Sequence, residues 1–366
     1  MRIRVNTLDV FRFIAILLVA LYHYFFRWTE LPNVYPYGNQ YARWFNHGNL
    51  GVQFFFMISG FVIYYTLENT NSRKEFFIKR WVRLFPSMLV ASLLTYLLFI
   101  CFDTQQIKPE SHSFSNLLYS LTFLEPGLLN VFDSSITWTY LSGSYWSLWP
   151  EIQFYVLAAL LFFYNKEKFL RNFTMFSFLV IIANQFIEKV VLKDRFGMHL
   201  PELAKAELGH LTLRVFTLMH YIQYFLFGSL MYRIYQTDKR VVTKQWFFYA
   251  AGILAIVILW AGKMEWQVKF LLLFFVGLFY LLSFRKIDGL GDAVPVLTKQ
   301  GASSYFFYLI HEHLGILLIS KTATFPFADT MLYPILVIIL LGILSVQYTK
   351  FIEKRFSKFL LAKFLK

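Results

Sequence analysis

Apolar residues in this chain run in long stretches separated by short polar ones, and most stretches have a similar length. Taking about 17 to 22 residues as the span of a hydrocarbon core roughly 30 Å thick, they fall at Leu8 to Trp28, Leu50 to Leu67, Val82 to Phe102, Trp146 to Tyr164, Phe173 to Val191, Thr212 to Tyr235, Trp246 to Gly262, Val268 to Phe284, Ser303 to Ser320 and Met331 to Lys350. The pattern predicts an all-α bundle of about ten transmembrane helices. The longest connection, Asp103 to Tyr145, contains an apolar patch from Leu117 to Leu124 that is too short to span, so a re-entrant or surface-lying helix is expected there. No repeat and no low-complexity linker interrupts the pattern. One membrane domain is expected over residues 1–350, followed by a basic amphipathic stretch at 351–366.

Composition agrees with the pattern. With 58% hydrophobic residues among 366 and a mean hydropathy of +0.52, there is too little polar surface to cover a soluble globule. The net charge of +14 would suit a nucleic-acid binder if it were gathered on one face, but the basic residues are scattered among short loops, so no nucleic-acid partner is expected. Their asymmetry sets orientation. With the N-terminus in the cytoplasm, roughly 23 Lys and Arg lie inside and roughly 11 outside, which follows the positive-inside rule and puts the C-terminus inside as well. Lys354, Arg355, Lys358, Lys363 and Lys366 among Phe and Leu then read as a stretch lying on anionic lipid. The first segment follows Arg2 and Arg4 as a signal peptide would, but Arg12 within it and the lack of a small-residue cleavage site predict a retained helix. Cys101 is the single cysteine, so no intrachain disulfide and no cysteine metal cluster is possible; the other histidines show no ligand spacing, and no metal is expected.

Chemistry first shows in the leading segment. Arg12 and His23 are 11 residues apart, close to three helical turns, so both leave one face at a separation of roughly 16 Å along the axis. Ionisable side chains within a membrane span mark a functional path until shown otherwise. A second basic pair, Arg80 and Arg83, is three residues apart at the expected start of the third span. Two guanidinium forks there would suit phosphate as well as they would serve as ordinary positive-inside anchors.

Five patterns line up in order: Leu8-Asp9-x-x-Arg12 with His23; Gly51-Val52-Gln53-Phe54-Phe55-Phe56-Met57-Ile58-Ser59-Gly60-Phe61; Arg80-x-x-Arg83-x-x-Pro86; Trp146-Ser147-Leu148-x-x-Glu151-x-x-Phe154-Tyr155; and Ser304-Tyr305-x-x-Tyr308-Leu309-x-His311. Together they resemble the acyltransferase-3 family of bacterial membrane O-acyltransferases, over nearly the whole chain. Trp149 and Pro150 depart from the commoner Trp-Ser-Leu-Ser-Val-Glu wording before Glu151, and the proline is expected to bend the top of that helix. The resemblance implies a protein of the bacterial cytoplasmic (inner) membrane. It would move an acyl group, commonly acetyl, from cytoplasmic acyl-CoA to a hydroxyl of a surface carbohydrate such as lipopolysaccharide O-antigen, the acceptor in some cases being lipid-linked.

The residues fit that reaction. A hydroxyl attacking a thioester needs a base near neutrality, for which His23 is suited. His23 and Glu151 each lie about five residues, roughly 7 to 8 Å, from the outer ends of their helices, so Glu151 is expected to orient the imidazole if the helices adjoin, with an ion pair to Arg12 or a charge at its helix N-terminus as its alternatives. Arg12, Arg80 and Arg83 are expected to grip the donor phosphates. His311 would contact the pantetheine arm or the carbonyl under attack, with Glu312 and His313 in the same wet cavity. Ser59 beside Gly60 would let the donor chain approach the second helix closely. A transporter or flippase for a lipid-linked sugar is the alternative from another class; inverted repeats would favour it, and none is found.

Overall fold

The computed structural model describes residues 5–28, 41–130, 138–188, 201–260 and 265–365. All secondary structure among them is helical. The principal helices are α1 (Thr7–Tyr22), α2 (Gly51–Glu68), α3 (Arg73–Phe102), α4 (Leu148–Tyr164), α5 (Phe169–Phe186), α6 (Leu218–Gln236), α7 (Trp246–Trp260), α8 (Trp266–Ser283), α9 (Pro295–Ala302), α10 (Ser304–Lys321), α11 (Leu332–Tyr348) and α12 (Lys354–Phe364). Over its described residues each of the ten expected segments falls on a helix, residues 189–191 and 261–262 of two of them lying outside the described residues, and the chain is an all-α, multi-pass membrane protein. Among the described residues seven helical stretches are long and apolar enough to cross a bilayer; α9 and α10 form an eighth, bent by 70°. The two remaining segments are exceptions for different reasons. The α7 helix has only 15 residues, and α6 is too polar to qualify although it has 19.

The polarity of α6 is tolerable because lipid hardly touches it. Phe225, Leu226, Phe227, Leu230 and Met231 are all fully buried, and α2, α5, α4, α7 and α8 pack around it. The α10 helix is buried in the same way from Phe306 to Leu317. The outer helices have the opposite character: α11 exposes Ile335, Leu336, Ile339, Leu340, Ile343 and Leu344, an apolar surface suited to lipid. The sequence is therefore most hydrophobic at the periphery and most varied in the middle.

Several boundaries differ from those expected. The α3 helix begins at Arg73 and not at Val82, with Ser72 accepting the Glu75 amide as its N-cap, so Arg80 and Arg83 lie two turns and more inside a helix and not at its start. Pro86 is accommodated without ending it. Pro150 sits in the first turn of α4, where its missing N–H has no partner to lose, and the helix continues to Tyr164. The predicted sixth span is broken: a π-helical turn, Leu211–Val215, precedes α6, and Gln153 of α4 binds both sides of the break through the Val215 carbonyl and the Leu218 amide. In the long connection a short helix, Phe114–Ser120, occupies the apolar patch. The C-terminal α12 packs against α3, with Ser357 donating to the Val82 carbonyl and Phe364 meeting the Trp81 ring edge-on, while Phe359 stays exposed.

The most extensive helix contact is between α2 and α6. It needs two glycines. A Cβ on Gly60 would collide with the Phe225 carbonyl oxygen, and one on Gly228 with that of Met57. Gly228→Ala is therefore expected to push the pair apart and destabilise the protein by about 1–3 kcal/mol. Gly252→Ala, at a position with open space around it, should be neutral or slightly stabilising. Thermal unfolding in detergent checks the pair of variants, and equal midpoints for the two would contradict this account of the contact.

Candidate functional site

Two connected cavities open from the end of the bundle that holds Arg83 and α12. The wider, about 1140 Å³, is lined by Arg12, Arg83, Arg285, Lys299, Lys350 and Lys354 among others, with Asp9, Asp292 and Glu353 as the acidic counterparts. The narrower, about 120 Å³, is bounded by Phe55, Ser59, Arg80, Glu151, Tyr155 and Tyr308. They share Arg12, Val62 and Arg83, which form the neck. Of the six cations in the wider cavity, Arg285, Lys299 and Lys350 were not singled out from the sequence, and Lys354 was expected on the lipid surface instead. They come from the α8–α9 connection, from α9 and from the region beyond α11, and no local motif links them.

Arg12 pairs with Asp9 one turn earlier on α1. Arg83 pairs with Glu353, a carboxylate only 5% exposed, and its guanidinium lies 5.9 Å from the Tyr305 ring. Arg80 faces the narrower chamber, 6.0 Å from the Tyr155 ring. Both members of the expected basic pair line the narrower chamber, and Arg83 lines the wider cavity as well. Arg285 is held with φ = 56°, in the left-handed region, and its guanidinium lies 3.9 Å from the Tyr235 ring while donating to the Tyr235 hydroxyl at 3.0 Å. A non-glycine residue in that conformation costs free energy and recurs at ligand-binding positions.

Glu151 does not meet His23. Its Oε1 accepts from the Ser59 hydroxyl at 2.7 Å and from the Tyr155 hydroxyl at 2.6 Å, on the wall of the narrower chamber. Sequence depth placed Glu151 and His23 at a similar level but could not fix helix rotation. The partner of His23 is His311, with Nδ1 and Nε2 3.0 Å apart. His311 is fully buried, and its Nδ1 lies 2.7 Å from the Tyr308 carbonyl, which can only accept. His311 Nδ1 is therefore the protonated nitrogen, its Nε2 accepts, and His23 Nδ1 donates to it. Both ring nitrogens of His311 are engaged by protein groups, one of them by His23.

The consequence falls on His23 Nε2, which carries a free lone pair. It points toward Glu312, whose Oε1 lies 3.6 Å away. His23 keeps the regular register of α1, its amide bonding back to Val19 and Ala20, and opens a π-helical turn, His23–Arg27, that continues the helix. Tyr24 then donates to the His311 carbonyl at 2.7 Å, its hydroxyl packed on Gly315 where no side chain would fit. Tyr308 links this pair to the chamber: it lines the narrower cavity, its ring is 5.4 Å from that of His311, and its hydroxyl donates to the Ser144 carbonyl at 2.9 Å and accepts from Ser147 at 2.7 Å.

At the His23 end the long connection closes over α10. Ser111 donates to the Leu141 carbonyl at 2.8 Å and accepts from His313 Nδ1 at 2.8 Å, while His313 Nε2 accepts from the Gly143 amide at 3.2 Å. Asp103 fixes the loop start. Burial disfavours its carboxylate, but the Ile107 amide, the His112 ring and the Lys108 amide outweigh this and hold its pKa below the usual value. Lys108 lies with its ammonium 3.2 Å from the centre of the Trp28 ring; burial lowers its pKa, partly offset by Glu110 and Glu312.

A family of acyltransferase domains, the acyltransferase-3 family, matches residues 5–348. The chain belongs to that family. An O-acetyl transferase of Shigella phage Sf6 is 26% identical over 182 residues, 49% of this chain and 53% of the phage protein, so the alignment spans about half of each. No solved structure matches the chain.

Among the described residues no group of three or more His, Cys, Asp or Glu is arranged to hold a metal. The loop clasp at His313 gives a direct prediction. His313→Ala removes the acceptor of the Gly143 amide and the donor to Ser111, each worth about 1–3 kcal/mol when left unsatisfied in a buried setting. Hydrogen exchange read by mass spectrometry should become about tenfold or more faster at Gly143 and over Pro109–His112. Unchanged exchange there would show that the loop is held by other contacts.

Proposed function

We propose that the chain is an O-acyltransferase that moves an acyl group, most simply acetyl, from cytoplasmic acyl-CoA to a hydroxyl of a surface carbohydrate. The observation that carries this reading is the route itself: a wide cationic cavity, a neck at Arg12 and Arg83, and a narrow chamber ending at Tyr308, whose ring touches the histidine that holds His23. A donor with a multiply charged nucleotide, a thin uncharged arm and a reactive thioester at its tip has that shape.

In this reading Arg83, Arg285, Lys299 and Lys350 take the phosphates, where charge-assisted hydrogen bonds are strong. The arm passes the neck along α2, where Ser59 and Glu151 offer polar contacts to its amides. The thioester arrives beside Tyr308. His23 takes the proton of the acceptor hydroxyl on Nε2 as that oxygen attacks the thioester carbon, the carbon–sulfur bond breaks, and the thiolate recovers the proton. His311 keeps the His23 ring in the tautomer that leaves Nε2 available, a positioning role like that of the third member of a catalytic triad. Because the reacting groups lie inside the bundle, bulk water is kept from the activated acyl group. With the positive-inside orientation the cationic cavity faces the cytoplasm of a bacterial inner membrane and His23 lies toward the outer face, which would let donor and acceptor approach from opposite sides.

His23→Ala is expected to lower transfer from acetyl-CoA by about 10²- to 10⁴-fold while CoA binding persists, because the base acts in the transition state. Purified protein, thiol release and mass spectrometry of the acylated product give the measurement. Near-wild-type turnover in a folded His23→Ala variant would sink the assignment, and a wild-type protein that neither hydrolyses nor transfers from acetyl-CoA would favour a transporter. The donor site is tested separately. Arg83→Gln and Lys350→Gln should each weaken CoA by roughly 1.5–3 kcal/mol, and dephospho-CoA by less because it has less charge to lose. Equal calorimetric affinities of variants and wild type for CoA would remove the nucleotide from this cavity.

A further inference from the structure

Next to the base lies a second acceptor with nothing to accept. Glu312 is 3% exposed, its Oε2 is buried without a hydrogen-bond partner, and its Oε1 is 3.6 Å from His23 Nε2, beyond hydrogen-bonding range. A buried carboxylate oxygen left without a donor is costly, and such exceptions call for a functional explanation. His23 Nε2 is an acceptor too, since its ring proton is committed to His311. Two acceptors thus lie 3.6 Å apart, and the Lys108 ammonium, close enough to Glu312 to feel its charge, makes no hydrogen bond to it.

A single hydroxyl cannot serve both, having one proton. Two hydroxyls on neighbouring carbons can, because their oxygens sit roughly 3 Å apart, about the spacing of hydrogen-bonded atoms. We infer that Glu312 binds the acceptor by receiving the hydrogen bond of the hydroxyl next to the one acylated, so that the site selects a 1,2-diol. The inference deepens the acyl-transfer reading and rests on it. The hydroxyl facing His23 gives its proton to Nε2 while its oxygen bonds the thioester carbon; the carbon–sulfur bond breaks, and the sulfur leaves with that proton as a thiol. The neighbouring hydroxyl keeps its proton, shared with Glu312, and stays free of the acyl group.

The loop above the carboxylate brings no side chain onto it at Gly143. Gly143 is exposed, and a Cβ there would stand 2.9 Å from Glu312 Oε1 and 3.1 Å from Oε2, so any side chain would cover the carboxylate. His313 pins the Gly143 amide and keeps the bare backbone in that place. Part of the His23 ring, 13% exposed, reaches the same surface.

The test uses the full-length purified protein with acetyl-CoA and three minimal acceptors: cis- and trans-1,2-cyclohexanediol and cyclohexanol. Wild-type kcat/KM should favour at least one diol over cyclohexanol by about tenfold or more, the worth of a hydrogen bond to a charged group. In Glu312→Gln the diol should lose far more than cyclohexanol, so that the ratio falls toward one. Gly143→Ala, which keeps the carboxylate but covers it, should narrow the ratio in the same way and keeps the test decisive if the first variant does not fold. A wild type without diol preference, or variants in which both acceptors decline by the same factor, would overturn the inference while leaving acyl transfer standing. No thiol release and no ester with any acceptor would overturn the transfer reaction itself, and the acceptor site with it.

Discussion

The hydrogen bond between His23 and His311 joins residues 288 apart in sequence and fixes the chemistry at the heart of the bundle. Two neutral rings in an apolar interior must satisfy their polar atoms from within the protein, since each unsatisfied group costs free energy. The Tyr308 carbonyl sets the proton on His311, His311 sets the proton on His23, and the remaining lone pair is thereby aimed at Glu312. The chain of assignments starts at a backbone carbonyl inside α10 and needs no titration to be maintained. A rotation of α1 or α10 by a fraction of a turn would break it, which is why the surrounding contacts, Tyr24 on Gly315 and the Tyr308 hydroxyl on Ser144 and Ser147, are as close as they are.

Charge is separated along the bundle in the sense the proposed reaction requires. Cations outnumber carboxylates at the wide mouth, Arg80 and Glu151 line the narrow chamber together with Phe55, Val62 and Tyr308, and the acceptors His23 and Glu312 lie beyond it. Arg83 stands at the boundary, tied to Glu353. Because Glu353 is buried and Arg83 is half exposed, the pair costs one substantial desolvation, and solvent weakens the attraction that offsets it. Its value is orientation more than stability: the carboxylate fixes one edge of the guanidinium fork and leaves the others facing the cavity.

Hydropathy made the helices legible, and the spacing of Arg12 and His23 identified the strand of polar positions that runs into the bundle. What could not be read was rotation and partnership between distant helices. Glu151 and Glu312 are both carboxylates in apolar helices, and the sequence favoured Glu151 because it lies as deep in its helix as His23 does; Ser59 and Tyr155 claim it, while the adjacent run His311-Glu312-His313 supplies the group beside the base. The run itself was a visible signal, three ionisable residues in succession on a helix otherwise apolar. The π-turn at His23 has no signature in the residues that form it. The cations Arg285, Lys299, Lys350 and Lys354 belong to separate segments that only the folded chain brings to one cavity, and each alone is indistinguishable from a cytoplasmic anchor.

The width of the narrow chamber follows from a packing decision made on another face of α2. Gly60 and Gly228 bring α2 and α6 together backbone to backbone, an approach that in membranes, where lipid is as apolar as the protein, supplies the attraction that hydrophobicity cannot. Ser59 adjoins Gly60 but points about a quarter turn away, toward α4, where it binds Glu151. The same two residues thus seat α2 on the central helix and set how far the Ser59 wall stands from Arg80 and Tyr155 across the chamber. A side chain at position 60 would displace α2 as a body, and the polar contacts lining the chamber would shift with it. Helix packing and the dimensions of the proposed donor path are one constraint, carried by glycines that touch no substrate.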